Sequence, residues 1–370
     1  MKKNSITAIS ILLATVSILF FGCTGNAESN QEAGNNQEAG NELETDTLIS
    51  GRGYTGNPFM TVGNEKGYFE EYGLTLEEIP LRAGNDVFSM LNSGQVDIIS
   101  NQGTSGPLQH IAAGEDLTIF GGHMTEGAVQ IIGHEDVEWN GLEDLIGKKI
   151  ASSPTNYTIT GPLLEMGYDP VNEIEWVQGL SAADIMAAVA KGEVDYGSVG
   201  TEMVKPVEDQ PGIKTMVWFD EIIDNYSCCR MFTRTDFIEE NPNTFKALLK
   251  GMIRAQADVE SNPEETAELM SATLDIPLEN VNAWITSEHY KIDVDPLYDL
   301  VHTAWDILDE TGYLDEEAKN INLDDHINIE LYSQALEEVK AEHYDENPEF
   351  YDTLTENFEK NTDGEHEFNL

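Results

Sequence analysis

Two adjacent cysteines, Cys228-Cys229, are the most reactive pair in the sequence. Three readings stay open for them. They are small apolar side chains buried on a strand, a strained and redox-labile vicinal disulfide, or a contact to ligand or metal. The other chemistry-capable residues sit where short apolar runs give way to helical spacing. Arg52, Tyr54, Thr55 and Asn57 follow the run Leu48-Ile49-Ser50. Asn85 follows the run that starts at Leu74, and Asn101, Gln102 and Thr104 follow Val96 to Ser100. Thr155, Asn156, Tyr157 and Thr158 open a later helix, Thr201 and Glu202 follow the strand after Val194-Asp195, and Tyr226 precedes the cysteines. In open α/β sheets, ligands bind beyond the carboxyl ends of strands, where helix starts present free N–H groups and a positive dipole end. These positions are therefore the candidate lining of a ligand site. Each also has a plainer reading, since Ser, Thr and Asn commonly cap helices.

Basic groups are scarce, 19 Lys+Arg against 69 Asp+Glu, so an arginine in such a site matters. Arg52 and Arg230 are candidates for holding an anion, whereas Arg82 reads as a surface ion pair. Tyr54, Tyr157 and Tyr226 offer faces for a ring or an ammonium group, and Trp218 reads as core. The spacing Gly51-x-Gly53-x-x-Gly56 resembles a dinucleotide fingerprint. No acidic residue closes a following strand about 20 residues on in the right context, so no such cofactor is expected. The eight histidines form no His-Glu-x-x-His or close pair. There is no Gly-x-Ser-x-Gly elbow, and the carboxylates are too many to single out an acid–base pair. The expectation is a binder without metal, cofactor or catalytic set.

Composition narrows the partners. The formal net charge is −50 and the pI about 4.1, so phosphate backbones and anionic lipid headgroups are repelled. With 40% hydrophobic and 8% aromatic residues the chain can still build a core. Three cysteines exclude a disulfide-dense scaffold.

The start of the chain gives an address. Met1-Lys2-Lys3 precedes an apolar run from Ile6 to Phe21, the pattern of a secretory signal peptide. Gly22-Cys23 after that run resembles a bacterial lipobox, with Phe20 where leucine is usual. The resemblance implies cleavage after residue 22 and fatty acylation of Cys23, which anchors the chain to the outer face of the cell membrane. Residues 23–46 read as a flexible tether, with NQEAGN occurring twice in tandem.

From Leu48 the chain alternates strand and helix, which implies an α/β fold with largely parallel strands. Met90-Leu91-Asn92-Ser93-Gly94-Gln95-Val96-Asp97 is echoed by Ala188-Val189-Ala190-Lys191-Gly192-Glu193-Val194-Asp195. Both read as helix, glycine stop, turn and strand, which suggests two similar lobes. The expected organisation is lobe 1 over 47–127 and lobe 2 over 128–225. Residues 226–340 then return to lobe 1 with mostly helices, and an acidic tail of little periodicity covers 341–370.

Glu65-Lys66-Gly67-Tyr68-Phe69-Glu70-Glu71-Tyr72-Gly73-Leu74, Ser93-Gly94-Gln95-Val96-Asp97-Ile98 and Gly106-Pro107-Leu108 carry a family resemblance. Asp144-Leu145-Ile146-Gly147-Lys148-Lys149 and Lys191-Gly192-Glu193-Val194-Asp195-Tyr196 extend it. In this order they resemble the solute-binding lipoproteins of ABC importers, in the nitrate/sulfonate/taurine and thiamine-precursor-like group. The resemblance implies a two-lobe, type II periplasmic-binding-protein fold, crossed near Gly122–Ile131 and Ser227–Thr233. It implies a monomer that captures a small solute between its lobes and delivers it to a permease driven by a partner ATPase. The alternative it raises is a thiamine-pyrimidine-synthase-like enzyme on the same fold, because Ser227-Cys228-Cys229-Arg230-Met231 resembles a fragment of that group's longer Cys-rich run.

Overall fold

The computed structural model describes residues 42–81, 87–314, 316–362 and 364. The expected signal peptide, Cys23, the expected tether up to residue 41, Arg82 and Asn85 lie outside the described residues. The chain first builds β1 (Thr47–Arg52), β2 (Thr75–Pro80), β3 (Ile98–Gly103) and β4 (Leu117–Gly127). It crosses over and builds β5 (Gln130–His134), β6 (Lys149–Ala151), β7 (Glu175–Trp176), β8 (Tyr196–Val199) and β9 (Ile213–Trp218). It then crosses back into β10 (Cys229–Arg234) and β11 (Tyr290–Ile292). One sheet has the order β11-β4-β10-β3-β1-β2, the other β7-β6-β8-β5-β9.

The strands are less uniformly parallel than the alternation predicts. β1 pairs in parallel with β2 and β3, and β6 with β7 and β8. β10 lies antiparallel between β3 and β4, and β5 is antiparallel to β8 and β9. A strand that arrives from the other sheet enters from the opposite end, so crossing strands break the βαβ pattern.

The internal echo has a physical basis. Gly94 and Gly192 both adopt φ 69°, the left-handed conformation a helix stop needs. Gly94 N–H bonds Leu91 O and Gln95 N–H bonds Met90 O; Gly192 N–H bonds Val189 O and Glu193 N–H bonds Ala188 O. The aspartate that follows then sets the register of the neighbouring strand. Asp97 Oδ2 accepts the Ile49 N–H at 2.8 Å, and Asp195 Oδ2 accepts the Lys149 N–H at 2.9 Å. Each lobe thus pins its first parallel strand pair with one side-chain carboxylate.

Residues past 340 are more ordered than the acidic composition suggests. The helices Glu330–His343 and Pro348–Lys360 bury Tyr332, Leu336, Val339, Phe350, Tyr351 and Leu354 in one core with Phe59, Phe69 and Leu248. Their acids face outward. Glu338 accepts from Lys246 at 2.7 Å and Lys250 at 3.1 Å on the helix Pro242–Ser261. Apolar spacing at 350, 351, 354 and 358 is the signal that the charge obscures. No helix among the described residues is long and apolar enough to cross a membrane.

Asp97→Ala is expected to cost about 1.5–3 kcal/mol, as for a bond to a charged group, and exposed Asp195→Ala less. Urea unfolding of both variants checks this; equal losses would show that burial of the carboxylate adds nothing.

Candidate functional site

The two crossings meet at a collar of hydrogen bonds. Tyr157, at the start of the lobe 2 helix Tyr157–Glu165, donates to Tyr226 O at 2.6 Å and Ser227 O at 2.8 Å. Gly127 N–H donates to Tyr226 Oη at 2.7 Å, and Thr201 Oγ1 donates to Gly127 O at 2.5 Å. Thr104 donates its hydroxyl to Ser227 O and its N–H to Cys228 O. Three residues in these connections hold positive φ without being glycine: Ala128 at 47°, Asn225 at 51° and Ser227 at 55°. Such strain costs on the order of 1–3 kcal/mol per residue and persists only where surrounding bonds enforce it.

Apolar contacts flank the collar on both sides. Tyr157 packs in one cluster with Ile307 and Leu308 of the helix Tyr298–Glu310. Ala128 and Val204 pack with Met270, Val281 and Trp284. Ser105 Oγ donates to Thr155 O at 2.9 Å, a direct bond between the lobes.

The predicted site residues fall into three groups. Asn57 is 0% exposed; its Oδ1 caps the helix Pro58–Lys66 through the Phe59 N–H, and its Nδ2 donates to Ser100 O. Thr158 is buried in the first turn of its helix. These two are structural, the plainer reading of a cap residue. Thr104, Tyr157, Thr201 and Tyr226 lie at the crossings, and Asn101 lies at the end of β3, all with their polar atoms committed to neighbours. Asn101 is the clamp of the first loop, accepting from Gly53 N–H at 2.7 Å and donating to Gly56 O at 2.9 Å. Arg52, Tyr54, Thr55, Gln102, Thr155, Asn156 and Glu202 are half-buried or exposed, Tyr54 at 64%. They lie at the strand ends on the two sides of the seam.

Arg230 is not open to a ligand. It is 0% exposed and donates to Asp295 O at 2.6 Å and Met124 O at 2.7 Å. A Cβ on Gly122 would lie 2.0 Å from its Nη1, so only glycine fits there. Around it lie buried Asp293, Asp295 and His123. Burial, reinforced by Asp295, pushes the Asp293 carboxyl up to about 7. Burial and the Arg230 charge hold His123 down at about 3, so it is neutral, and neither ring nitrogen has a partner. On β2, beside β1, burial pushes Glu78 up to about 7 against the pull of Arg52.

Trp218 is half-buried and stacked on His289, ring centroids 4.3 Å apart. Sequence reasoning placed a crossing near Gly122–Ile131 but singled out neither Gly127 nor Ala128 within it, and it missed Ser105. Nothing in their residue types marks a crossing, because each acts through backbone position or a single hydroxyl.

Two α/β lobes joined by crossing strands, with polar residues at the seam, define the periplasmic-binding-protein fold. The SsuA aliphatic sulphonate binding protein of Escherichia coli has it, at TM-score 0.63 and 20% identity over 77% of this chain and 92% of that one. So has the nitrate-binding protein NrtA of Synechocystis, at TM-score 0.64 and 18% identity over 81% and 91%. The chain belongs to the NMT1/THI5-like family, whose sequence model matches residues 58–266. A 4-amino-5-hydroxymethyl-2-methylpyrimidine phosphate synthase of Schizosaccharomyces pombe is 25% identical over 226 residues. The matched part is 54% of this chain and 61% of that relative.

Asp293 yields a pH test. An acid whose folded pKa is raised binds its proton more tightly in the native state, so the protonated form stabilises below the ordinary carboxylate pKa. That stability drains away as pH rises from about 4 to about 7. Asp293→Asn keeps the acceptor for the Asp295 N–H and removes the titration. Its urea midpoint is expected to gain on the parent's between pH 4 and 8; parallel profiles would refute the assignment.

Proposed function

We propose that the chain is the lipid-anchored, extracytoplasmic solute-binding protein of an ABC importer, acting as a monomer beside a permease and its ATPase. The observation that carries this is the seam itself. Two lobes meet at strand ends, linked covalently by two strained connections, with half-buried and exposed polar side chains on both sides. Capture is then closure of one lobe on the other about the collar, and delivery is its reopening at the permease. Cys23 acylation and a tether supply the anchor; the tether ends before the expected residue 46, because Leu43 packs on the core and Glu44 accepts the Thr244 N–H of the helix Pro242–Ser261. The acids form a solvated coat screened by salt.

Arg52 on lobe 1 and Glu202 on lobe 2 give the seam one cation and one anion among amides and hydroxyls. That pairing suits a small solute with an anionic end and an ammonium or hydrogen-donating end, as in taurine. Fold neighbours named for sulphonate and nitrate binding support the anionic end. The synthase-named relatives support a second reading, a pyrimidine-forming enzyme that uses Cys228; it requires turnover that Cys228→Ser abolishes.

Thermal unfolding with taurine, alkanesulphonates, nitrate and an aminopyrimidine tests the first reading. A solute at a hundred times its Kd adds about 2.7 kcal/mol and raises Tm by several degrees. Arg52→Gln is expected to weaken an anionic solute about ten- to a hundredfold, the worth of a charge-assisted bond. A folded protein that none of these solutes stabilises would overturn the reading.

A further inference from the structure

The return crossing holds two free thiols side by side. Cys228 and Cys229 are half-buried, with Sγ atoms 3.6 Å apart. Successive side chains on a regular strand point to opposite faces, so the backbone here is not regular. Ser227 has φ 55°, and the pairing of β10 with β4 slips between Cys229 and Arg230. The irregular strand start turns both sulfurs to one side.

Their surroundings make the two thiols unequal. The hydrogen bond from Cys229, helped by Tyr226 and by the Arg230 charge, holds Cys228 below the usual thiol range. The same bond and burial push Cys229 up. A low-lying thiolate beside a second thiol is the arrangement of an attacking and a resolving cysteine.

We propose that Cys228 and Cys229 form a reversible dithiol–disulfide couple that exchanges with low-molecular-weight disulfides. The Cys228 thiolate attacks one sulfur of the small disulfide, whose S–S bond breaks and releases one thiolate. Cys229 then gives up its proton and attacks Cys228 Sγ, expelling the second thiolate. The two cysteines lose two electrons, the small disulfide gains them, and both cysteine protons end on the two released thiols.

Consecutive Cα atoms are about 3.8 Å apart, shorter than the range of about 4.4–6.8 Å that disulfides prefer. The product is therefore strained and readily reduced, a regulatory rather than a structural bond. Its site couples it to the hinge. Cys228 N–H donates to Thr125 O at 3.1 Å, and Cys228 O accepts the Thr104 N–H at 3.2 Å. Closing a ring across the 228–229 peptide turns both bonds and loosens the collar. None of this depends on which solute binds.

The test uses the full chain and its tryptic peptide 215–230, which contains both cysteines and excludes Cys23. The protein is equilibrated at graded ratios of glutathione disulfide to glutathione, quenched with N-ethylmaleimide and digested. The expected product is a peptide two hydrogens lighter and unalkylated, which dithiothreitol converts to one that takes two alkyl groups. Cys229→Ser is expected to stop at the glutathione adduct on Cys228. Amide hydrogen exchange at Thr104 and Cys228 is expected to speed up at least tenfold on oxidation. Two thiols alkylatable at every ratio, or a stable glutathione adduct on the parent chain, would overturn the couple. Unchanged amide exchange in the oxidised form would overturn its link to the hinge.

Discussion

A guanidinium sealed from water is the constraint on which the rest of the molecule depends. Moving an ion of that size into a low-dielectric interior costs several kcal/mol even after relaxation, and only well-placed partners offset it. Arg230 finds them in two backbone carbonyls, Met124 O on β4 and Asp295 O beyond β11. Those two bonds tie the outgoing crossing, the returning crossing and the start of the C-terminal helices to one point. The missing side chain at Gly122 makes room for the charge, and the nearby Asp295 favours it. The basic residue most suggestive of anion binding by its place in the chain is thus the keystone of the scaffold.

With that point fixed, the seam between the lobes is free to be both ordered and changeable. Hydroxyls of Thr104, Tyr157 and Thr201 go to backbone carbonyls of the crossings, each bond worth about 1 kcal/mol net. Their sum opposes the strain held at Ala128, Asn225 and Ser227, so the balance at the hinge is a small difference between comparable quantities. A modest gain from a bound solute can tip such a balance.

Local chemistry was legible in the sequence wherever it repeats. Gly94 and Gly192 announced helix stops, and the paired Val-Asp that follows announced two lobes. What the aspartates do was not legible, since accepting an amide 48 residues away, or 46 in the second lobe, is a product of strand register. Asn57 and Asn101 look alike at strand ends, yet one caps a helix in the core and the other clamps a loop beside the seam. Only three-dimensional context divides them. The helix over Pro348–Lys360 was hidden by its charge, although Phe350, Tyr351 and Leu354 already had helical spacing. The left-handed backbone at Ala128 and Ser227 leaves no trace in residue type, because the surrounding bonds impose it.

The strand order carries a consequence for how the molecule assembles. All five strands of the second sheet come from one unbroken stretch, Gln130 to Trp218. The first sheet has a gap between β3 and β4 until Cys229–Arg234 fills it. As the chain is extended from its N-terminus, the second sheet can close on itself while the first still waits for its central strand. Sequence-local pairings form sooner than distant ones, so the inserted lobe becomes the early-folding unit. The lobe that contains the beginning of the fold is the last to be completed.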